Sequence, residues 1–238
     1  MHPKLIEIGD FFLPTYGVMV GIAFLAALWV ASRLGKKSGL NPDDVTNLGV
    51  YCALAGLAGA KLLMFVLDWS YYASNPGEIF SLTTLRAGGV FQGGLIVALL
   101  VAYWFMRSRQ LPPLKTADAF GPALALGHGI GRIGCFSAGC CWGAACGHPW
   151  AVTFTNPDAH QLTGVPLDRA LRPTQLYEAG AEALIFGVLY WRFHQKHRDG
   201  QIIGLYLVLY SVARFALEFY RDHQQANPLD GPFTSPPW

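Results

Sequence analysis

Val45-Thr-Asn-Leu-Gly-Val-Tyr-Cys-Ala-Leu-Ala-Gly-Leu-Ala-Gly-Ala-Lys61-Leu-Leu-Met-Phe-Val-Leu67 carries one charged side chain, Lys61, and is bounded by Asp44 and Asp68. A helix needs about 20 such residues to cross the hydrocarbon core of a bilayer. Comparable runs extend from Pro14 to Ala31, Gly88 to Met106, Ala117 to Phe136, Thr174 to Phe193 and Ile202 to Phe219. Over the whole chain of 238 residues, 53% are hydrophobic and only 13% charged, with a mean hydropathy of +0.32. A soluble domain carries about a quarter charged residues, so this chain lacks the polar covering for its apolar content. The same composition excludes disorder and coiled coils, and a net charge of +2 gives no reason to expect nucleic acid as a partner. The expected fold is an all-α integral membrane protein, a polytopic bundle of about six spans.

Basic residues set the orientation. Arg33, Lys36 and Lys37 follow the first span, Arg107, Arg109 and Lys115 the third, and Arg192, Lys196 and Arg198 the fifth, together more than half of the 17 Lys and Arg. The positive-inside rule places these short loops in the cytoplasm and the N-terminus outside. Acidic Glu7 and Asp10 before the first run argue against a cleaved signal peptide. Residues 1–238 read as a single transmembrane domain, with an outward-facing cap at about 137–173 between spans four and five. A tail of about 222–238 lies outside the membrane. Trp69, Tyr71 and Tyr72 suit a headgroup-level aromatic belt.

Lys61, Arg132 and Arg214 fall inside spans, together with the acids Glu178 and Glu218. An unpaired charge at the bilayer centre costs several kcal/mol, so each faces a partner or a cavity. Lys61 is close enough to a span end to snorkel, and Arg214 and Glu218 are spaced to pair along one helix face. Arg132 sits in Gly127-His128-Gly129-Ile130-Gly131-Arg132-Ile133-Gly134, where glycines admit close approach of a ligand or a second backbone. His128 lies one turn before it on the same face. Two guanidinium groups meeting in a bundle repel unless an anion lies between them, and their forked donors match a phosphate. In a membrane that phosphate belongs to a phospholipid headgroup.

Gly131-Arg-Ile-Gly-Cys-Phe136 with Trp142-Gly143 resembles the signature of the bacterial prolipoprotein diacylglyceryl transferase family. So do Gly89-Val-Phe-Gln-Gly-Gly-Leu-Ile96 and Arg172-Pro-Thr-Gln-Leu-Tyr-Glu-Ala179. Tyr16-Gly17, and Arg214 with Glu218 and Arg221, continue the match in order along most of the chain. The resemblance implies a multi-pass enzyme of the bacterial plasma (inner) membrane. It would take the diacylglyceryl group from phosphatidylglycerol to the lipobox cysteine of a preprolipoprotein, forming a thioether and releasing glycerol phosphate. Arg132, Arg214, Gln92, His128 and Glu178 would then be catalytic. Tyr16, Gly93, Gly94, Cys135, Gly143, Tyr177 and Glu218, with both arginines, would hold substrate. No cofactor and no metal are implied.

The chain departs from that pattern in several places. Gln92 stands where a histidine is usual and cannot act as a base at neutral pH, which turns attention to His128 and Glu178. Cys135 replaces an asparagine, Cys140 an acid and Arg172 a histidine, and the family has a seventh span where this sequence runs into a Pro-rich tail. A non-catalytic or altered-substrate lipid-binding relative is therefore the alternative. Cys135-x4-Cys140-Cys141-x4-Cys146-x-His148 admits three readings: a disulfide pinning the cap, with Cys140 or Cys141 joined to Cys146; a metal or redox site; or plain thiols. Gly93 and Gly94 also fit a helix-packing groove.

Overall fold

The structure is a computed structural model that describes residues 2–8, 11–81, 84 and 88–221. The tail expected at 222–238 lies outside the described residues. Among the described residues, six long helices account for the apolar runs: α1 (Thr15–Lys37), α2 (Pro42–Leu67), α4 (Phe91–Ser108), α5 (Pro113–Ala138), α7 (Thr174–Phe193) and α8 (Gln201–Glu218). Two short ones, α3 (Trp69–Ser74) and α6 (Pro157–Thr163), join them. By length and composition α1, α2, α4 and α8 are able to cross a membrane. The other two long helices, α5 and α7, carry His128, Arg132, Glu178 and Glu182. The large side chains point outward as lipid contact requires: Leu57 is 70% and Leu184 75% exposed. Of the expected belt, Trp69 and Tyr71 are exposed, but Tyr72 is buried edge-on against Phe65, with ring centres 4.9 Å apart.

The described residues divide into two compact units, one from those within 31–117 and one from those within 1–30 and 118–221. Within the first, α1 ends where Gly39 takes φ +77° and Leu40 N–H donates back to Gly35. Asn41 then caps α2 by accepting from Asp43 N–H at 2.9 Å, with Pro42 at the first helical position. Helices α2 and α4 meet through glycines. A Cβ at Gly93 would lie 2.5 Å from the Gly59 carbonyl oxygen, and one at Gly94 2.8 Å from that of Gly56. Both glycines are buried in this backbone contact, the small-residue packing that membrane helices use. Gly93→Ala is expected to cost about 1–3 kcal/mol, because the obstructing atoms, Leu63 Cβ and the Gly59 carbonyl oxygen, cannot move without the backbone. Thermal unfolding of the detergent-solubilised protein measures it. Lys61 Nζ donates to the Thr84 carbonyl at 2.5 Å.

In the second unit, β1 (Lys4–Ile8) and β2 (Phe11–Pro14) form an antiparallel pair ahead of α1. Helix α5 contains Pro122 and buries Asp118 one turn earlier, at 2% exposure. The Asp118 carboxylate accepts from Gly200 N–H at 2.8 Å and Ile203 N–H at 2.9 Å, and so caps α8 from a different helix. Asp118→Ala leaves two N-terminal donors of α8 without this acceptor and is expected to destabilise the protein by about 1–2 kcal/mol. A fall in the unfolding midpoint, partly recovered in Asp118→Asn, is the readout.

Between α5 and α7 the chain folds over a small apolar core of Trp142, Phe154, Ala159, Val165 and Leu171. This cap segment contains a short strand, β3 (Val152–Thr153), paired antiparallel with β4 (Ala170–Leu171).

Candidate active site

Two helix faces meet in register. On α5, His128 and Arg132 are one turn apart; on α7, Glu178 and Glu182 are likewise. The i,i+4 spacing puts each pair on one face, and Gly129 allows the approach, since a Cβ there would lie 3.3 Å from the Glu182 Cβ. Arg132 Nη2 lies 2.9 Å from Glu178 Oε1, and His128 Nδ1 lies 2.9 Å from Glu182 Oε1. Arg132 Nε–H donates to His128 Nε2 at 3.2 Å. With Nε2 accepting, Nδ1 carries the proton and donates it to Glu182, which fixes the tautomer. Glu178 Oε1 is also 3.4 Å from His128 Nε2. Glu178 is 7% and Glu182 1% exposed, so these carboxylates depend on the cationic and N–H groups facing them.

Arg214, on α8, gives Nη2 to Glu218 at 2.7 Å, and Glu218 also lies 3.7 Å from Arg221 Nη1. Arg214 Nη1 is buried with no hydrogen-bond partner. The guanidinium is therefore half engaged: one side neutralised, the other side still offering donors. Tyr210, on α8 one turn before Arg214, lies beside the α5 pair. Its ring centre is 5.4 Å from that of His128, and Arg132, Arg214, Glu178 and Glu182 are all within its electrostatic reach. Tyr16, in the first turn of α1 and 45% exposed, has its ring beside Gly134, where a Cβ would lie 3.4 Å from Cδ2. Tyr177 packs edge-on to Tyr220 at 6.3 Å.

Gly143 has a packing reason for its lack of side chain. A Cβ there would sit 2.5 Å from the Tyr220 carbonyl oxygen and 2.6 Å from Thr174 Cγ2. Its N–H donates to the Arg172 carbonyl at 2.9 Å, and the Arg172 guanidinium lies over the Tyr220 ring at 5.2 Å. Gln92 is exposed in the first turn of α4, in the other compact unit, beside the buried packing glycines Gly93 and Gly94.

All five cysteines are free thiols, so the disulfide reading is corrected. The reason is local. Gly139 takes φ +83° and Cys141 φ +60°, which turns Cys140 and Cys141 back toward Cys135. Cys146 instead donates its N–H to Ala170, alongside β4. Thiol hydrogen bonds with Cys135 and Cys140 hold Cys141 below the ordinary thiol range against its desolvation, with Arg132 and Arg221 acting in the same sense.

Sequence reasoning missed Glu182, Asp118 and Gln175. Glu182 had a readable signal: its spacing from Glu178 repeats that of His128 and Arg132. Gln175 reaches the Cys140 carbonyl through Nε2 at 2.7 Å, and nothing local in the sequence indicates that contact.

A family model described as prolipoprotein diacylglyceryl transferase matches residues 3–235. Among curated relatives, the phosphatidylglycerol–prolipoprotein diacylglyceryl transferase of Clostridium tetani is 33% identical over 227 residues, covering 95% of this chain and 88% of its own length. Its namesake from Nitratidesulfovibrio vulgaris is 33% identical over 226 residues, 93% of this chain and 81% of its own. That from Photobacterium profundum is 31% identical over 240 residues, 99% and 86% respectively.

Proposed function

Because the chain belongs to the prolipoprotein diacylglyceryl transferase family, we propose that it transfers the diacylglyceryl group of phosphatidylglycerol to the lipobox cysteine of preprolipoproteins, with Arg132 and Arg214 on the phosphate. It is a membrane transferase of lipoprotein biosynthesis. The observation that carries the site assignment is the half-engaged Arg214, whose Nη1 is buried without a partner. Together with Arg132 it offers the forked, permanently charged donors a phosphodiester takes.

In the reaction, the acceptor sulfur attacks the glycerol carbon that bears the phosphate ester. A C–S bond forms, the C–O bond breaks, and its electron pair leaves on glycerol phosphate. Donors already aimed at that growing charge are the main catalytic term in such a step. The thiol proton goes to His128 Nε2. That nitrogen is covered by Arg132 Nε–H, so engagement of Arg132 with the phosphate uncovers it, while Glu182 keeps Nδ1–H oriented. In this reading the six long helices all span the plasma membrane, with Lys36, Lys37, Arg107 and Arg192 at their cytoplasmic ends and the N-terminus outside.

The test uses purified protein, phosphatidylglycerol labelled separately in its acyl chains and its headgroup glycerol, and a lipobox peptide. Acyl label on the cysteine with headgroup label released as glycerol phosphate is expected. Lipid binding without thioether formation would move the protein to the non-catalytic reading.

A further inference from the structure

The proposed reaction leaves the three clustered cysteines without a role. The Sγ atoms of Cys135, Cys140 and Cys141 all lie within 4.8 Å of one another. Tetrahedral zinc with bonds of about 2.3 Å to sulfur needs thiolates about 3.8 Å apart, a small contraction from this arrangement. The group is built rather than incidental. Gly139 N–H and Cys140 N–H both donate to the Cys135 carbonyl, at 3.0 and 3.1 Å, closing the loop over the end of α5. The Cys140 carbonyl then accepts from Gln175 and the Cys141 carbonyl from Thr174 Oγ1 at 3.0 Å, so the first turn of α7 fixes both ligand-bearing peptides. Cys135 is buried, and the other two are half-buried. Cys146 and His148 are not in the group, and His148 instead stacks on Trp150 at 4.8 Å.

We infer that Cys135, Cys140 and Cys141 form a three-thiolate site for a zinc-class divalent cation, whose fourth position takes the acceptor thiol. Thiolate ligands select soft or borderline cations, and three protein ligands with one position open is the pattern of reactive rather than structural zinc. Arg132 and Arg221 lie within electrostatic reach of Cys141 and offset the negative charge of a metal with three or four thiolates. On binding, the acceptor S–H bond breaks, its proton leaves to solvent or to His128, and a metal–sulfur bond forms; nothing is oxidised or reduced. This assignment of the fourth ligand rests on the transferase reading, whereas the metal site itself does not.

The experiment reconstitutes the reduced, detergent-solubilised chain with Zn²⁺ alone or Co²⁺ alone. Metal content near one per chain is expected, with the intense visible bands of tetrahedral thiolate-bound cobalt. Cys135→Ser and Cys140→Ser should each weaken binding at least about tenfold, while Cys146→Ser, Cys52→Ser and His148→Ala leave it unchanged. Far-UV circular dichroism separates lost ligation from lost folding. A lipobox peptide should shift the cobalt bands, and its Cys→Ser version should not. Substoichiometric metal, binding of Cu⁺ only, or a disulfide among the three cysteines would overturn the site. Cobalt bands indifferent to the cysteine peptide would overturn the fourth-ligand assignment. Transfer by metal-free protein would remove the metal from the reaction and leave the transferase reading intact.

Discussion

Arg132→Ala is expected to lower the rate of diacylglyceryl transfer by about 10²–10³ while the protein still inserts and folds. The magnitude follows from what the guanidinium does at once. In the proposed reaction it would stabilise charge on the departing phosphate, and its Nε–H donates to His128 Nε2. It also pairs Glu178 at 2.9 Å, so its loss leaves a carboxylate that is only 7% exposed without its cation. That second effect costs folding stability as well, and the double variant Arg132→Ala/Glu178→Gln separates the two. Stability should return toward the parent in the double variant, and activity should not. Arg132→Lys keeps the charge but loses the fork, and should recover only part of the rate.

His128→Ala is expected to lower the rate by about 10²–10⁴, the range for a general base. Its partner acts through it. Glu182→Gln keeps a group able to accept from Nδ1–H but removes the charge that favours the imidazolium, so it should cost less and should shift the acid limb of the pH–rate profile toward lower pH. A purely structural role for Glu182 would change stability and leave the profile where it was. Gln92→Ala is expected to have a smaller effect than either, since an amide takes no proton. The measurement is a pH–rate profile of single-turnover transfer for each variant.

The helices were legible because each is a long apolar run with few charges, and a bilayer enforces helix wherever such a run crosses it. Arg132 and Arg214 were legible as candidates for the complementary reason, that a guanidinium in such a run needs an explanation. What the sequence did not convey is partnership across helices. Glu182 and Asp118 act on residues far along the chain, and their contacts depend on how α5, α7 and α8 pack. The cysteines show the limit most clearly. Their spacing admitted a disulfide to Cys146, and it took two positive φ angles, at Gly139 and Cys141, to turn Cys140 and Cys141 toward Cys135 instead. Gly93, Gly94 and Gly143 show that a motif glycine can owe its identity to backbone packing: each has carbonyl oxygen where a Cβ would stand.

The central claim is that a pair of guanidinium groups holds the phosphate of the donor lipid. Its most direct test is transfer from phosphatidylglycerol to a lipobox peptide by the purified protein and by Arg214→Ala, measured side by side at equal insertion. Arg214 Nη2 already serves Glu218, which stays 43% exposed, so the variant should fold. A loss of about 10²–10³ in rate, with weaker inhibition by glycerol phosphate, is the expected result. Transfer by Arg214→Ala at the parent rate would contradict the account.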